Sequence, residues 1–265
     1  HALLCTQRRK GVVIMKMLRS LIYREYKLSR GHQLLMLILF LLVAGCMLIP
    51  FILGGDDFDP ADLENEDSAN LYIFPLIVGV VGGVFAGSNN GVHKADINSG
   101  WKRYSISLPP KASQLALADT IYKMGFALLL GAVTFAFSGI IYGYTGFSTY
   151  VFGMNIFLMC AGFFIISDAV YSYILLLAKD EKDAKKYRMI GFFAVAGVLK
   201  VLSMFAEKKG NSATDYSEQS IFMDIAKIAE TAASEKVLVV SAVLFAVSIV
   251  VYFIMIRKSY ERREA

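Results

Sequence analysis

Between Lys123 and Asp168 the chain reads MGFALLLGAVTFAFSGIIYGYTGFSTYVFGMNIFLMCAGFFIIS, without a single Asp, Glu, Lys or Arg. About 20 apolar residues of helix cross a hydrocarbon core of about 30 Å, so this run is long enough to cross a bilayer twice. Lipid offers no partner to a backbone N–H or C=O, and helix is therefore the expected form. Near the middle stands GYTGF at 143–147, uncharged and rich in turn-forming residues. The spacing predicts two helices, 115–142 and 148–178, folded into a tight antiparallel hairpin. The second is longer than one crossing needs, so it is expected to tilt or to project into water.

The same pattern continues on both sides. Apolar runs predict further spans at 33–53, 71–88, 189–206 and 237–256, giving an all-α integral membrane protein with six transmembrane helices. The composition agrees: of 265 residues 56% are hydrophobic and only 18% charged, and the mean hydropathy is +0.54. A soluble domain would carry about 25% charged residues. With 5 Pro and 3 Cys the chain is neither a disordered segment nor a disulfide scaffold. The net charge of +5 comes from bases that flank apolar runs, which is a topology signal and not a nucleic-acid-binding face.

Basic residues are retained on the cytoplasmic side of a membrane, and their distribution is lopsided. Eight precede the first span, four lie between spans two and three, five follow span four and four follow span six. The opposite loops carry none at 54–70, none in the hairpin turn and four between spans five and six. Both termini are therefore expected in the cytoplasm of a multi-pass protein. Met15 and Met17 read as candidate native starts, and the late, long first apolar run argues against a cleaved signal peptide.

Three segments outside the spans have a shape of their own. At 14–30, Ile14, Leu18, Leu21, Ile22 and Tyr26 recur at helical spacing opposite Lys16, Arg19, Arg24, Lys27 and Arg30, predicting a basic amphipathic helix on the inner leaflet. The loop 89–113 carries Trp101 and Tyr104 beside Lys102 and Arg103, a set suited to the membrane–water interface, and its Pro109-Pro110 pair forces an extended link before span three. In 207–235, DYSE at 215–218 reads as a capping box before an outer amphipathic helix. The first outer loop is acidic throughout, with seven carboxylates between Asp56 and Asp67 and no base, and reads as a solvated rim.

Inside the spans, Gly79, Gly83 and Gly87 repeat every fourth residue with Gly82 beside them, a surface that admits another backbone closely, either of this chain or of a second copy. Asp119 and Lys123 lie four apart on one helix face and can pair with each other. Asp168 and Lys200 are isolated, and the expectation is that they pair across the bundle, unless Asp168 lies near the inner interface. No motif for chemistry is present. The three His stand at 1, 32 and 93, with no His-Glu-x-x-His, no Cys/His cluster, no Gly-x-Gly-Asp and no Gly-x-x-x-x-Gly-Lys-Ser/Thr phosphate loop. No metal or cofactor is expected on this chain, and it is not expected to be an enzyme.

The order of elements, with IYREYK at 22–27 before span one and WKRYSISLPPKAS at 101–113 before span three, resembles permease subunits of the ABC-2 exporter family from about Met15 onward. The resemblance implies that 14–30 is the elbow helix of a type-2 ABC exporter fold. It also implies a coupling helix between Asp96 and Leu108 that docks on a separate cytoplasmic ABC ATPase. Asp96, Ile97, Trp101, Lys102, Arg103 and Tyr104 are then the ATPase contacts, with ATP and magnesium held by that partner. Within the family the chain looks most similar to Gram-positive exporters of amphipathic peptides, including phenol-soluble modulin toxins. A bacterial cell membrane and a second permease, a copy or a homologue, are implied with it. The competing expectation is a membrane sensor or assembly protein whose acidic outer loop recruits a cationic ligand.

Overall fold

The computed structural model describes residues 2–53, 67–88, 110–145, 149–177 and 234–264, together with positions 186 and 189. These form five helices: α1 (Ala2–Leu53), α2 (Asp67–Gly87), α3 (Ala112–Thr145), α4 (Thr149–Leu177) and α5 (Glu235–Glu264). There is no strand among the described residues. Within α1, α3, α4 and α5 the stretches Met15–Ile49, Ala112–Gly143, Tyr150–Ile174 and Glu235–Glu261 are long and apolar enough to cross a membrane, and α2 carries a shorter apolar portion, Tyr72–Gly87. The chain is thus an all-helical, multi-pass membrane protein. The expected fifth span at 189–206, apart from position 189, and the loop 89–109 and the outer segment 207–233 lie outside the described residues.

Local chemistry explains where α3 and α5 begin. Pro110 cannot sit in a helix interior, and the residue after it, Lys111, caps α3: its carbonyl accepts from Gln114 N–H at 2.8 Å and Leu115 N–H at 3.2 Å. Gln114 Oε1 reaches back to accept the Lys111 N–H at 3.0 Å, half of a capping box. Ser234 caps α5, its Oγ accepting the Val237 N–H at 3.4 Å. One boundary differs from expectation. The amphipathic segment 14–30 and the span 33–53 are a single uninterrupted helix, because nothing at Arg30-Gly31-His32-Gln33 breaks a helix. Its buried side keeps Leu18, Leu21 and Ile22 of the expected apolar face but continues differently. Leu21, Glu25, Ser29 and Gln33 face inward at four-residue spacing, while Tyr26 is exposed.

Helix directions follow from who touches whom. Gly79, Gly83 and Gly87 approach residues 153–156, 157–161 and 161–165 of α4 in rising order, so α2 and α4 run parallel. Gly162 meets Phe245 and Ser248, and further along Asp168 and Tyr252 reach the same Lys123, so α4 and α5 are parallel as well. α1 and α3 run the other way. Leu21 shares a core cluster with Leu115 and Ala116, while Phe40 and Thr134 meet over Gly82. α4 sits in the middle, packed on α2, α3 and α5. The beginning of α1 and the end of α5 therefore lie at one end of the bundle, whereas Leu177 and Glu235 lie at opposite ends.

Burial is inverted relative to a soluble protein. On α5 the inward stripe is Ser241, Ser248, Tyr252, Ile256 and Ser259, and the outward face is Val239, Val240, Val243, Leu244, Val247, Val250 and Ile254. Hydrocarbon is as good a surrounding for Val and Leu as a protein core is, so polar side chains are the ones that gain from facing inward. Thr120, Thr134 and Ser248 satisfy themselves on helix carbonyls one turn back, at 2.8, 3.0 and 2.7 Å. The outward apolar face of α1 runs from Leu34 to Ile52, an axial length of about 28 Å that matches the hydrocarbon core.

Candidate functional site

α3 carries Asp119 and Lys123 one turn apart, and the small residues Ala112, Ala116 and Ala118 around them let neighbouring helices come close. Lys123 is 3% exposed, and its Nζ donates to Asp168 Oδ2 of α4 in a buried ion pair. Above the ammonium lies the Tyr252 ring of α5, its centroid 4.7 Å from Nζ, so one cation joins three helices. The negative ring face and the carboxylate together replace the water that Lys123 gives up on burial. Asp119, Asp168, Tyr260 and Glu25 all lie within electrostatic reach of the Tyr252 hydroxyl. That hydroxyl is itself buried without a hydrogen-bond partner among the described residues.

α1 completes the cluster. Arg24 Nη1 lies 3.1 Å from Glu25 Oε1, both little exposed. One turn on, Ser29 Oγ is 2.9 Å from the Glu25 carbonyl and 2.5 Å from Tyr122 Oη, and Tyr122 Oη–H donates to Gln33 Oε1 at 2.5 Å. Three carboxylates and two cations are thereby gathered from α1, α3 and α4, closed over by tyrosines of α3 and α5. Its level is fixed by α1. Gln33 immediately precedes Leu34, where the outward face becomes apolar, so the cluster lies at the basic end of the bundle, where the hydrocarbon begins.

The structure brings together three of the four charged residues singled out inside the spans. Across the bundle Lys123 pairs with Asp168, where the spacing on α3 had offered it Asp119; Lys200, the expected partner of Asp168, lies outside the described residues. The reason is register. A tight hairpin sets the start of α3 beside the end of α4, so the two charges that bracket the uncharged run meet at its base. Asp96, Ile97, Trp101, Lys102, Arg103 and Tyr104 also lie outside the described residues.

The glycine stripe faces α4 of the same chain. A Cβ at Gly79 would stand 2.8 Å from the Gly153 carbonyl oxygen, and one at Gly83 would stand 2.6 Å from Cys160 Cβ and 2.8 Å from the Phe157 oxygen. A Cβ at Gly87 would press on Phe164 Cβ and lie 2.7 Å from the Ala161 oxygen. Gly82 serves the other face of α2, where Phe40 and Thr134 would each meet its Cβ at 2.9 Å. Residues that sequence reasoning did not single out for the cluster are Glu25, Tyr122 and Tyr252. Glu25 had a signal: with Ser29 and Gln33 it makes a polar stripe at four-residue spacing in a helix otherwise basic and apolar.

Among the described residues no group of three or more His, Cys, Asp or Glu side chains is placed to hold a metal ion. What the arrangement can do is tie four helices together at the basic end of the bundle, through charges that have few other places to go. Comparison with protein-family models, with curated proteins and with solved structures returned no match for this chain.

Proposed function

We propose that the chain is the permease subunit of an ATP-driven exporter of the ABC-2 kind. In this reading it has six spans, both termini lie in the cytoplasm of a bacterial cell, and it works with a separate ATPase and a second permease to export amphipathic peptides. The observation that carries the reading is helix polarity. α1 to α4 alternate in direction and α5 runs parallel to α4, and in this reading the chain returns across the bundle between Leu177 and Glu235. The apolar run at 189–206 is of the right length to do so, which supports six crossings with both ends at the basic end. The charged cluster supports coupling. It lies at that same end, within two to three turns of the start of α3, and so next to the loop that the resemblance makes the coupling segment. A transporter needs two packings of its helices and a ligand or partner that favours one of them.

The test is co-purification. Expressed with a candidate ATPase, the chain should retain it through affinity purification, and ATP turnover should rise with added amphipathic peptide. Trp101→Ala and Arg103→Ala should weaken both retention and turnover. Failure to retain any of several ATPases, or unaltered association in both variants, would overturn the reading.

A further inference from the structure

On the outward side of α1, at the level of the cluster, Tyr23 is 63% and Tyr26 51% exposed, and Lys27 and Arg30 project beside them. The rings of Tyr23 and Tyr26 lie 6.4 Å apart. One turn further the same face becomes Leu34 and Leu35, both exposed. α5 repeats the change at its own end, where exposed Ile254 is followed within a turn by exposed Arg257 and Lys258. Glu261, one turn on, accepts from Arg257 Nε at 2.6 Å and is the acidic residue facing outward beside this set among the described residues.

Axial distances place these groups. Arg30 lies about 6 Å and Lys27 about 10 Å before Leu34, and Arg257 lies about 4.5 Å beyond Ile254. The headgroup layer on one side of a bilayer is about 5–8 Å thick. Arg30, Arg257 and Lys258 therefore stand in the headgroup layer, and Lys27 stands just outside it, with a side chain long enough to reach the phosphates. Tyr26 and Tyr23 lie about 12 Å and about 16 Å before Leu34, on the water side of that layer.

We propose that Lys27 and Arg30 of α1, with Arg257 and Lys258 of α5, form a collar that binds the phosphate headgroups of anionic phospholipid. One feature selects a lipid over an acidic protein surface: on both helices the cations stand within one to two turns of where the exposed apolar face begins. A phosphodiester with net negative charge gains from all four cations, whereas a zwitterionic headgroup presents its own ammonium to them. The proposal is independent of what the protein transports.

The experiment uses the full chain in a mild non-ionic detergent, with phosphatidylglycerol or phosphatidylcholine added at equal concentration. Retained lipid is counted by mass spectrometry of the intact protein, and the melting temperature is followed in parallel. Phosphatidylglycerol should be retained at least about tenfold more than phosphatidylcholine and should raise the melting temperature. Lys27→Gln with Arg30→Gln, and separately Arg257→Gln with Lys258→Gln, should each lower retention by roughly fivefold per cation removed. The two pairs stand on different helices, so loss of fold in one still leaves the other informative. Equal retention of the two lipids by the unaltered chain would overturn the proposal. So would variants of both pairs that fold and keep phosphatidylglycerol in full.

Discussion

Two interfaces meet on α4, and they are built on opposite principles. Along α2 the contact is made by absence: glycines at 79, 83 and 87 let backbone lie on backbone, with no charge and no hydroxyl needed. Toward the basic end, α3 and α5 meet α4 through charge and aromatic rings, Lys123 held by Asp168 under Tyr252. A shape-matched contact has one good register, since any slide brings a side chain against a carbonyl. An ion pair tolerates displacement, because long side chains follow a moving partner and a second carboxylate, Asp119, stands one turn away on the same helix. If the helices rearrange, α2 and α4 should move as one body and the charged end should be where they part from α3.

The largest break in this contrast comes from removing half of the pair. Lys123→Met leaves Asp168 buried without its cation, and uncompensated charges of this kind destabilise by about 3–5 kcal/mol. The expected result is a marked drop in melting temperature and in resistance to denaturant in detergent. Lys123→Met with Asp168→Leu should recover most of that loss, because a packed apolar pair has no charge to strand. Exchanging the charges, Lys123→Asp with Asp168→Lys, should recover less. The new carboxylate would then stand one turn from Asp119, and the Tyr252 ring would lose the cation beneath it. Equal stability of Lys123→Met and the unaltered chain would remove the pair from any account of how this end is held.

Next is the glycine face. Gly83→Val would place side-chain atoms against the Phe157 carbonyl and the Cys160 Cβ, both belonging to a helix that is packed on its other sides too. Over-packing of this sort costs about 1–3 kcal/mol, and here the obstruction is partly backbone, which cannot rotate away. Gly125→Val is the matched control, because a Cβ at Gly125 meets nothing within 4 Å. A drop in melting temperature for the first and little change for the second is the expected outcome, and equal effects would dissolve the distinction between a packed glycine and a lipid-facing one.

Much of this architecture was legible in the residues, and the exceptions have physical causes. The hairpin could be read because an uncharged run of that length has one arrangement in lipid. The close-packing role of the glycines was readable from their spacing, but not which helix they face, since a small-residue stripe looks the same to an internal and an external partner. The uninterrupted course of α1 was hidden by composition: the shift from basic to apolar at residue 33 suggests two elements, yet the backbone there contains no Pro and only one Gly. The inward turn of Glu25 was hidden for a related reason. A charged residue in a basic amphipathic stretch reads as solvated, and only the tertiary arrangement, with Tyr122 next to Ser29 and Gln33, shows that this face is covered.

The smallest effect sharpens the comparison at the seam between the two principles. Tyr122→Phe keeps the ring of α3 in place and deletes one hydroxyl, which now links Ser29 and Gln33 of α1. Net hydrogen bonds of this kind contribute about 0.5–1.5 kcal/mol, and interhelical ones in membrane proteins fall toward the lower end. Ser29 keeps the Glu25 carbonyl as an acceptor, so only the Gln33 carbonyl oxygen loses its donor. The expected change is therefore a small fall in melting temperature, well below that of Lys123→Met. It should be additive with Gly83→Val, because Tyr122 and Gly83 share no neighbour among the contacts described. Strong non-additivity of these two would mean that α1 and α2 are coupled through α3, and the view of the bundle as a rigid half joined to an adjustable one would have to be abandoned.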